Sequence, residues 1–218
     1  MPFGQQADNL LWPMKVLGIS TSPRMDSNSD MLLRQALAGA QSVGAEAEYM
    51  RLCKLNIAPC SACGACYATG DCPIEDDFQV VLPKLLEADR LVLATPIFFA
   101  SVCSQAKILI DRCQCLWARK YVLKCPVARR QGPPRLAMVI AVGGTKGKKM
   151  FDSIRLTMKY YLDALDMGYF ANLFIGGVDE AGKIAGNTAA MEQALRLGKE
   201  LAGAAGIPKN PIEVELTG

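Results

Sequence analysis

No histidine occurs anywhere in the 218 residues. That absence removes Ser-His and Cys-His nucleophile pairs, imidazole metal ligands and the usual general base near neutral pH. Aromatic residues are sparse at 7% and are not interleaved with basic clusters, and the formal net charge is only +3. Neither a stacking platform nor an electrostatic footprint for nucleic acid follows from such a chain. Long apolar runs are missing too. The stretch around Leu91–Ala100 is interrupted by Thr95 and Pro96, and it falls short of the roughly 20 residues that span a bilayer. Residues Met1 to Trp12 lack the basic segment and apolar core of a secretory signal. The expectation is a cytoplasmic protein that engages neither membrane nor nucleic acid. No carboxylate pair stands out for acid–base work, so chemistry borne by a bound cofactor is expected.

What the chain does have is cysteine, nine residues of it. In a reducing compartment such thiols read as metal or redox groups rather than disulfides. The length suits one α/β domain. Short apolar runs at Lys15–Ser20, Ala45–Leu52, Arg90–Thr95, Leu136–Val142 and Gly168–Ile175 predict strands. Glu46 and Glu48 alternate with apolar residues as on an edge strand. Helical patterns lie between the strands, near Ser29–Ser42, Phe78–Glu87, Val102–Ala118, Met150–Asp166 and Thr188–Ala204. This alternation predicts a doubly wound parallel sheet, whose ligands sit beyond the carboxyl ends of the strands. The tails Met1–Trp12 and Gly206–Gly218 read as irregular. The basic, proline-containing stretch Lys120–Arg135 reads as a solvated surface connection, with docking of an acidic carrier as the alternative.

After the first strand comes Gly18-Ile19-Ser20-Thr21-Ser22-Pro23-Arg24-Met25-Asp26-Ser27-Asn28-Ser29. It has no Gly-x-Gly-x-x-Gly fingerprint and is no Walker loop. Its hydroxyls, its arginine and the start of a helix nevertheless suit an anion. Ser22, Ser27, Asn28 and Ser29 can donate to phosphate, and Arg24 adds charge. Ser27 followed by Asp30 resembles a capping box. The bland alternative is a polar turn with an N-cap serine. After the third strand, Thr95-Pro96-Ile97-Phe98-Phe99 leads into a helix carrying Gln105, Lys107, Asp111 and Arg112. Its aromatics could line a ring-shaped ligand or simply fill the core. Gly143 and Gly144 end the fourth strand as a third wall of the same pocket. A P-loop reading fails there, because Val142 replaces the first glycine and Lys149 the final Ser/Thr.

Cys60, Cys63, Cys66 and Cys72 form C-x2-C-x2-C-x5-C, followed by Pro73. Three thiols at this spacing wrap a short segment around one centre, and the five residues before the fourth give the chain slack to return to it. A [4Fe–4S] cluster with four local thiolates fits this pattern. A four-cysteine zinc site, plain free thiols and a disulfide remain alternatives. Cys53, Cys103, Cys113, Cys115 and Cys125 follow no ligand spacing and read as small buried hydrophobes.

Ser-Pro-Arg-x-x-Ser-Asn-Ser, from Ser22 to Ser29, resembles the FMN phosphate loop of the NADPH-dependent FMN reductase-like flavoproteins. The segment from Thr95 to Arg112 is similar to that family's Thr-Pro-x-aromatic-Phe stretch along the isoalloxazine. With the four-cysteine loop between second strand and second helix, the sequence looks like an iron–sulfur flavoprotein. The resemblance implies a flavodoxin-like fold with five parallel strands in the order 2-1-3-4-5. It implies FMN held by Ser20, Ser22, Pro23, Arg24, Ser27, Asn28, Ser29, Thr95, Pro96, Ile97, Phe98, Phe99, Gly143 and Gly144. It further implies a [4Fe–4S] cluster on Cys60, Cys63, Cys66 and Cys72, a homodimer or homotetramer, and exchange of electrons with a ferredoxin-like carrier. An NAD(P)H-dependent FMN or quinone reductase without a redox-active cluster is the rival reading.

Overall fold

The computed structural model describes residues 13–128 and 133–218; Met1–Trp12 lie outside the described residues. The elements in chain order are β1 (Lys15–Ser20), α1 (Asn28–Gln41), β2 (Glu46–Arg51), α2 (Cys66–Thr69), α3 (Phe78–Glu87), β3 (Arg90–Phe98), β4 (Ser101–Val102), α4 (Ser104–Arg112), α5 (Gln114–Trp117), β5 (Leu136–Val142), α6 (Asp152–Ala164), β6 (Gly168–Gly176), α7 (Thr188–Gly203) and β7 (Ile212–Thr217). The sheet runs β2-β1-β3-β5-β6-β7, with β4 folded back antiparallel on the end of β3. All other pairings are parallel.

The expected five strands and their order are present, and a sixth parallel strand extends them. The tail expected to be irregular supplies it. Ile212, Val214 and Leu216 alternate with Glu213 and Glu215, the half-apolar pattern of a strand with one partner and one wet face. β5 is buried at every residue, as a strand covered on both sides must be. Alternation splits its side chains between two cores. Ala137, Val139 and Ala141 join α3, α4 and α6 on one face, while Leu136, Met138, Ile140 and Val142 join α1 and α7 on the other.

Arginines fasten this architecture. Arg90 is fully buried, and its Nε and Nη2 each donate at 2.7 Å to the carbonyls of Leu201 and Ala204. A cation thus satisfies the carboxyl end of α7, where the helix leaves its carbonyls unpaired. Arg135 donates to Ala88 (2.9 Å), Leu165 (2.7 Å) and Leu85, and burial pulls its pKa down to about 10. Lys120 reaches the Asp163 carbonyl at 2.7 Å. Both ends of the stretch expected to be a solvated connection are therefore turned onto the protein; residues 129–132 lie outside the described residues. The single helix expected over Val102–Ala118 is also divided: β4 takes its start, and α4 and α5 meet at Cys113. No helix among the described residues is long and apolar enough to cross a membrane.

Candidate functional site

The loop after β1 is shaped by its cap. Ser27 is extended at φ −69° and its hydroxyl accepts the Asp30 amide, which starts α1. Asp30 does not return the favour to Ser27 as a full capping box would. Its carboxylate instead accepts from Arg34 Nε at 2.9 Å and the Tyr49 hydroxyl at 2.5 Å. Burial alone would raise the Asp30 pKa, but these hydrogen bonds outweigh it and hold the carboxyl below its usual value. Burial and the Asp30 charge push Tyr49 up to about 12. A carboxyl depressed on folding stabilises the protein fully above its unfolded pKa near 4 and loses that contribution as pH falls through the lower folded value. Unfolding by urea as a function of pH is expected to show a shallower acid loss in Asp30→Asn than in the wild type. Parallel acid limbs would contradict this assignment.

Beyond the strand ends lies a narrow pocket lined by Ser22, Arg24, Ser27, Asn28, Ser29, Pro96, Ile97, Phe98, Gly143 and Gly144. Ten of the predicted cofactor residues are thus gathered from three separate loops. The other four do not line it: Ser20 and Thr95 are buried, Pro23 and Phe99 exposed. The Thr95 hydroxyl is used locally, donating to the Pro96 carbonyl and accepting from the Cys103 amide. The two aromatics are not core residues: Phe98 walls the pocket, and Phe99 is fully exposed at the β3–β4 turn. That turn places Phe99 and Ala100 at φ +51° and +54°, the left-handed region that non-glycine residues occupy only under strain.

The loop after β6 closes the pocket, although no motif in the sequence marks it. Asn28 donates to the Glu180 carbonyl at 2.8 Å and accepts from the Ile184 amide at 3.1 Å, while Arg24 donates to the Asp179 carbonyl at 3.2 Å. A Cβ at Gly144 would lie 3.0 Å from that of Asp179, so the glycine allows these two loops to meet. Arg51, at the end of β2, donates to the Arg24 carbonyl at 3.0 Å and brings a second guanidinium to the anion loop. The signal for the β6 loop was available: it follows the last central strand, where ligands of such sheets bind.

The cysteine loop belongs to a different space. Cys60, Cys63, Cys66 and Cys72 all line a cleft of about 850 Å³ between the loop, α4–α5 and α6. The cleft and the anion pocket have no lining residue in common. All four thiols are free, Cys63 exposed and the others half-buried. Burial raises the Cys66 thiol pKa, and the sulfurs of Cys63, Cys72 and Cys60 raise it further, so the four share one electrostatic neighbourhood. Among the described residues, no group of three or more Cys, Asp or Glu side chains is arranged to hold a metal ion. Ala62 (φ +54°), Gly64 and Gly70 (both +76°) turn the chain between the thiols. Aromatics line the cleft from both sides: the Trp117 ring lies 6.1 Å from Tyr67, which belongs to the loop, and 5.7 Å from Tyr121.

Two arginines hold the loop from below. Arg112 donates to the Ala58 carbonyl (2.9 Å), Asp76 (2.5 Å) and the Ile74 carbonyl (3.2 Å). Arg119 donates to the Gly70 carbonyl at 2.8 Å and pairs with Asp71. Of the remaining cysteines, Cys103, Cys113 and Cys115 are buried as expected, whereas Cys53 is half-buried and Cys125 exposed. Burial pushes Cys115 up to about 12 and Cys113 higher still. Cys103 is more than filler. Its Sγ lies 3.2 Å from both the carbonyl and the hydroxyl of Thr21, tying the β1 loop to the start of α4.

A doubly wound parallel sheet with a hydroxyl-rich anion loop after its first strand and a Thr-Pro-aromatic loop after its third defines a flavodoxin-like protein. The chain belongs to the NADPH-dependent FMN reductase family, whose model matches residues 14–176. It is 42% identical over 99 residues to an iron–sulfur flavoprotein of Methanocaldococcus jannaschii, covering 45% of this chain and 51% of that one. Over 133 residues it is 32% identical to an iron–sulfur flavoprotein of Methanosarcina thermophila, covering 61% of this chain and 65% of that one. The matches thus span about half to two thirds of the length of these relatives. A solved NAD(P)H:quinone oxidoreductase from Methanothermobacter marburgensis has the same fold, with a TM-score of 0.68 over 88% of this chain and 99% of that one at 17% identity.

Proposed function

We propose that this chain is a redox flavoprotein that holds FMN at the anion pocket and a [4Fe–4S] cluster on Cys60, Cys63, Cys66 and Cys72. In this reading it moves electrons between a one-electron carrier and a two-electron acceptor. The observation that carries the reading is four free thiols of one short loop lining a single cleft. The donor set fits: four thiolates with no histidine is the ligand chemistry of such clusters. The arrangement does not conflict with the lack of a site for one metal ion, because in a cluster each thiolate binds its own iron. Bound, the two groups supply one- and two-electron chemistry. The chain's part is placement. Ser22, Ser27 and Ser29 offer hydroxyls to a phosphate at the start of α1, Arg24 and Arg51 offset its charge, and Ile97 and Phe98 give the ring an apolar wall. Arg112 and Arg119 fix the path of the cysteine loop. The reading extends to a homo-oligomer, supported by the separation of pocket and cleft, which asks for a second chain if the two groups are to meet directly. A ferredoxin-like carrier is the proposed one-electron partner.

A second reading, an NAD(P)H-dependent reductase whose cysteines hold nothing, is favoured by the family match and by the open arrangement of the thiols. Oxygen-free purification followed by iron, sulfide and flavin quantitation separates the two. Flavin with iron and acid-labile sulfide is expected; flavin alone would establish the second reading. In the same assay Arg24→Ala is expected to weaken FMN binding about 10-fold, the scale of one charge-assisted contact, at unchanged iron. Undiminished affinity would remove Arg24 from the phosphate grip.

A further inference from the structure

We infer that Arg112 is the positioning residue of the cysteine loop and that its Nε–H is reserved for the Cys72 sulfur when that sulfur serves as a ligand. The inference rests on the cluster reading above and adds a group that tunes it.

Arg112 ends α4, and its side chain is fully buried. Three of its contacts bracket the loop. Ala58 lies two residues before Cys60, while Ile74 and Asp76 follow Cys72 by two and four residues. The guanidinium therefore closes the neck of the loop like a clasp, and Phe78 stacks its ring beneath it, 4.6 Å from Cζ. The charge it carries inside the protein is compensated by its ion pair with the buried Asp76 carboxylate.

One nitrogen is left over. Arg112 Nε is buried and has no hydrogen-bond partner. A buried N–H without a partner, on a charged group, is costly to keep. The neighbour in position to take it is Cys72, which lies two residues before the Ile74 carbonyl that Arg112 already holds and lines the same cleft. A sulfur that ligates iron is a stronger acceptor than a free one, so the bond belongs to the state in which Cys72 is a ligand. Groups that donate to ligand sulfurs orient them and set cluster potentials. A cluster held there would gain one negative charge for each electron taken from a one-electron donor. A fixed N–H and positive charge at Cys72 favour that reduced state.

The test uses the full chain loaded with FMN and reconstituted anaerobically with iron and sulfide, as wild type, Arg112→Gln, Arg112→Lys and Asp76→Asn. Bound FMN and thermal melting report the fold, iron and sulfide per chain report loading, and a dithionite titration followed by electron paramagnetic resonance gives the midpoint potential. In Arg112→Gln the reduced-to-oxidised ratio at a fixed potential is expected to fall about 10-fold, which is about 59 mV for one electron, with FMN content unchanged. Arg112→Lys, which keeps the charge, is expected to recover part of that fall. A loaded Arg112→Gln protein with the wild-type midpoint would overturn the inference while leaving the cluster reading intact. If Arg112→Gln takes up no iron, Asp76→Asn decides. It removes the competing carboxylate and leaves Arg112 Nε in place, so its midpoint is expected to rise; an unchanged or lower value overturns the inference. A wild-type chain that takes up no iron ends both readings.

Discussion

Replacing Cys63 with alanine is expected to take iron from about four per chain to near zero while FMN stays bound. Cys63 is the most exposed of the four loop thiols, and no described contact of its side chain supports the fold, so the substitution removes a ligand and little else. A cluster short of one thiolate has no replacement within this loop, and the histidine-free sequence offers no imidazole. The flavin is expected to remain because the cleft at Cys63 and the anion pocket share no lining residue. Cys125→Ala serves as the control: it too is exposed, but it lies outside the loop. Anaerobic iron and flavin analysis of both variants is the measurement. Equal iron in Cys63→Ala and wild type would show that the thiols do not ligate as a set.

The second large effect concerns stability. Helices α1 and α7 cross so closely that a Cβ on Gly198 would sit 1.9 Å from the Ala36 carbonyl oxygen, and one on Gly39 would sit 2.1 Å from that of Leu195. Both obstacles are backbone, so no rotamer change relieves them, and the helices must move apart over a buried face that includes Leu33, Leu37, Leu197 and Leu201. Gly198→Ala is expected to cost about 3 kcal/mol or more, a fall in Tm of roughly 6–12 °C for a chain of this size. Gly203, at the end of the same helix, has open space around its Cβ direction. Gly203→Ala is therefore expected to be neutral or to stabilise by about 0.4–1 kcal/mol. Both are read by thermal unfolding, and coincident melting curves would refute the close crossing. The effect would also reach the anion pocket, since α1 carries Asn28 and Ser29 at its amino end.

Local signals account for what reading the chain captured. β1 and β5 have the expected bounds because central parallel strands are continuous apolar runs with abrupt ends. The start of α1 was visible in Ser27, since an N-cap bond spans only three residues. Edge strands carry weaker signals: the Ile212–Thr217 alternation resembles that of Glu46–Arg51, yet it sits in a tail whose glycine and proline make it read as irregular. The break between α4 and α5 had no marker, because no proline or glycine lies near Cys113.

The order of residues alone determined the chemistry available to this protein: a hydroxyl-rich anion loop, a Thr-Pro-aromatic loop and four thiols within 13 residues. Each is a short segment whose meaning depends on spacing along the chain. Folding decided which of them meet. It joined the β6 loop to the anion pocket, set the thiols in a separate cleft, and turned Arg112, Arg119 and Arg51 from ordinary cations into the groups that hold both sites. The loop carbonyls that Arg51, Arg112 and Arg119 hold lie 27 to 54 residues away in the chain. Such pairings follow from where the packed sheet and helices place the loops, and no local pattern encodes them.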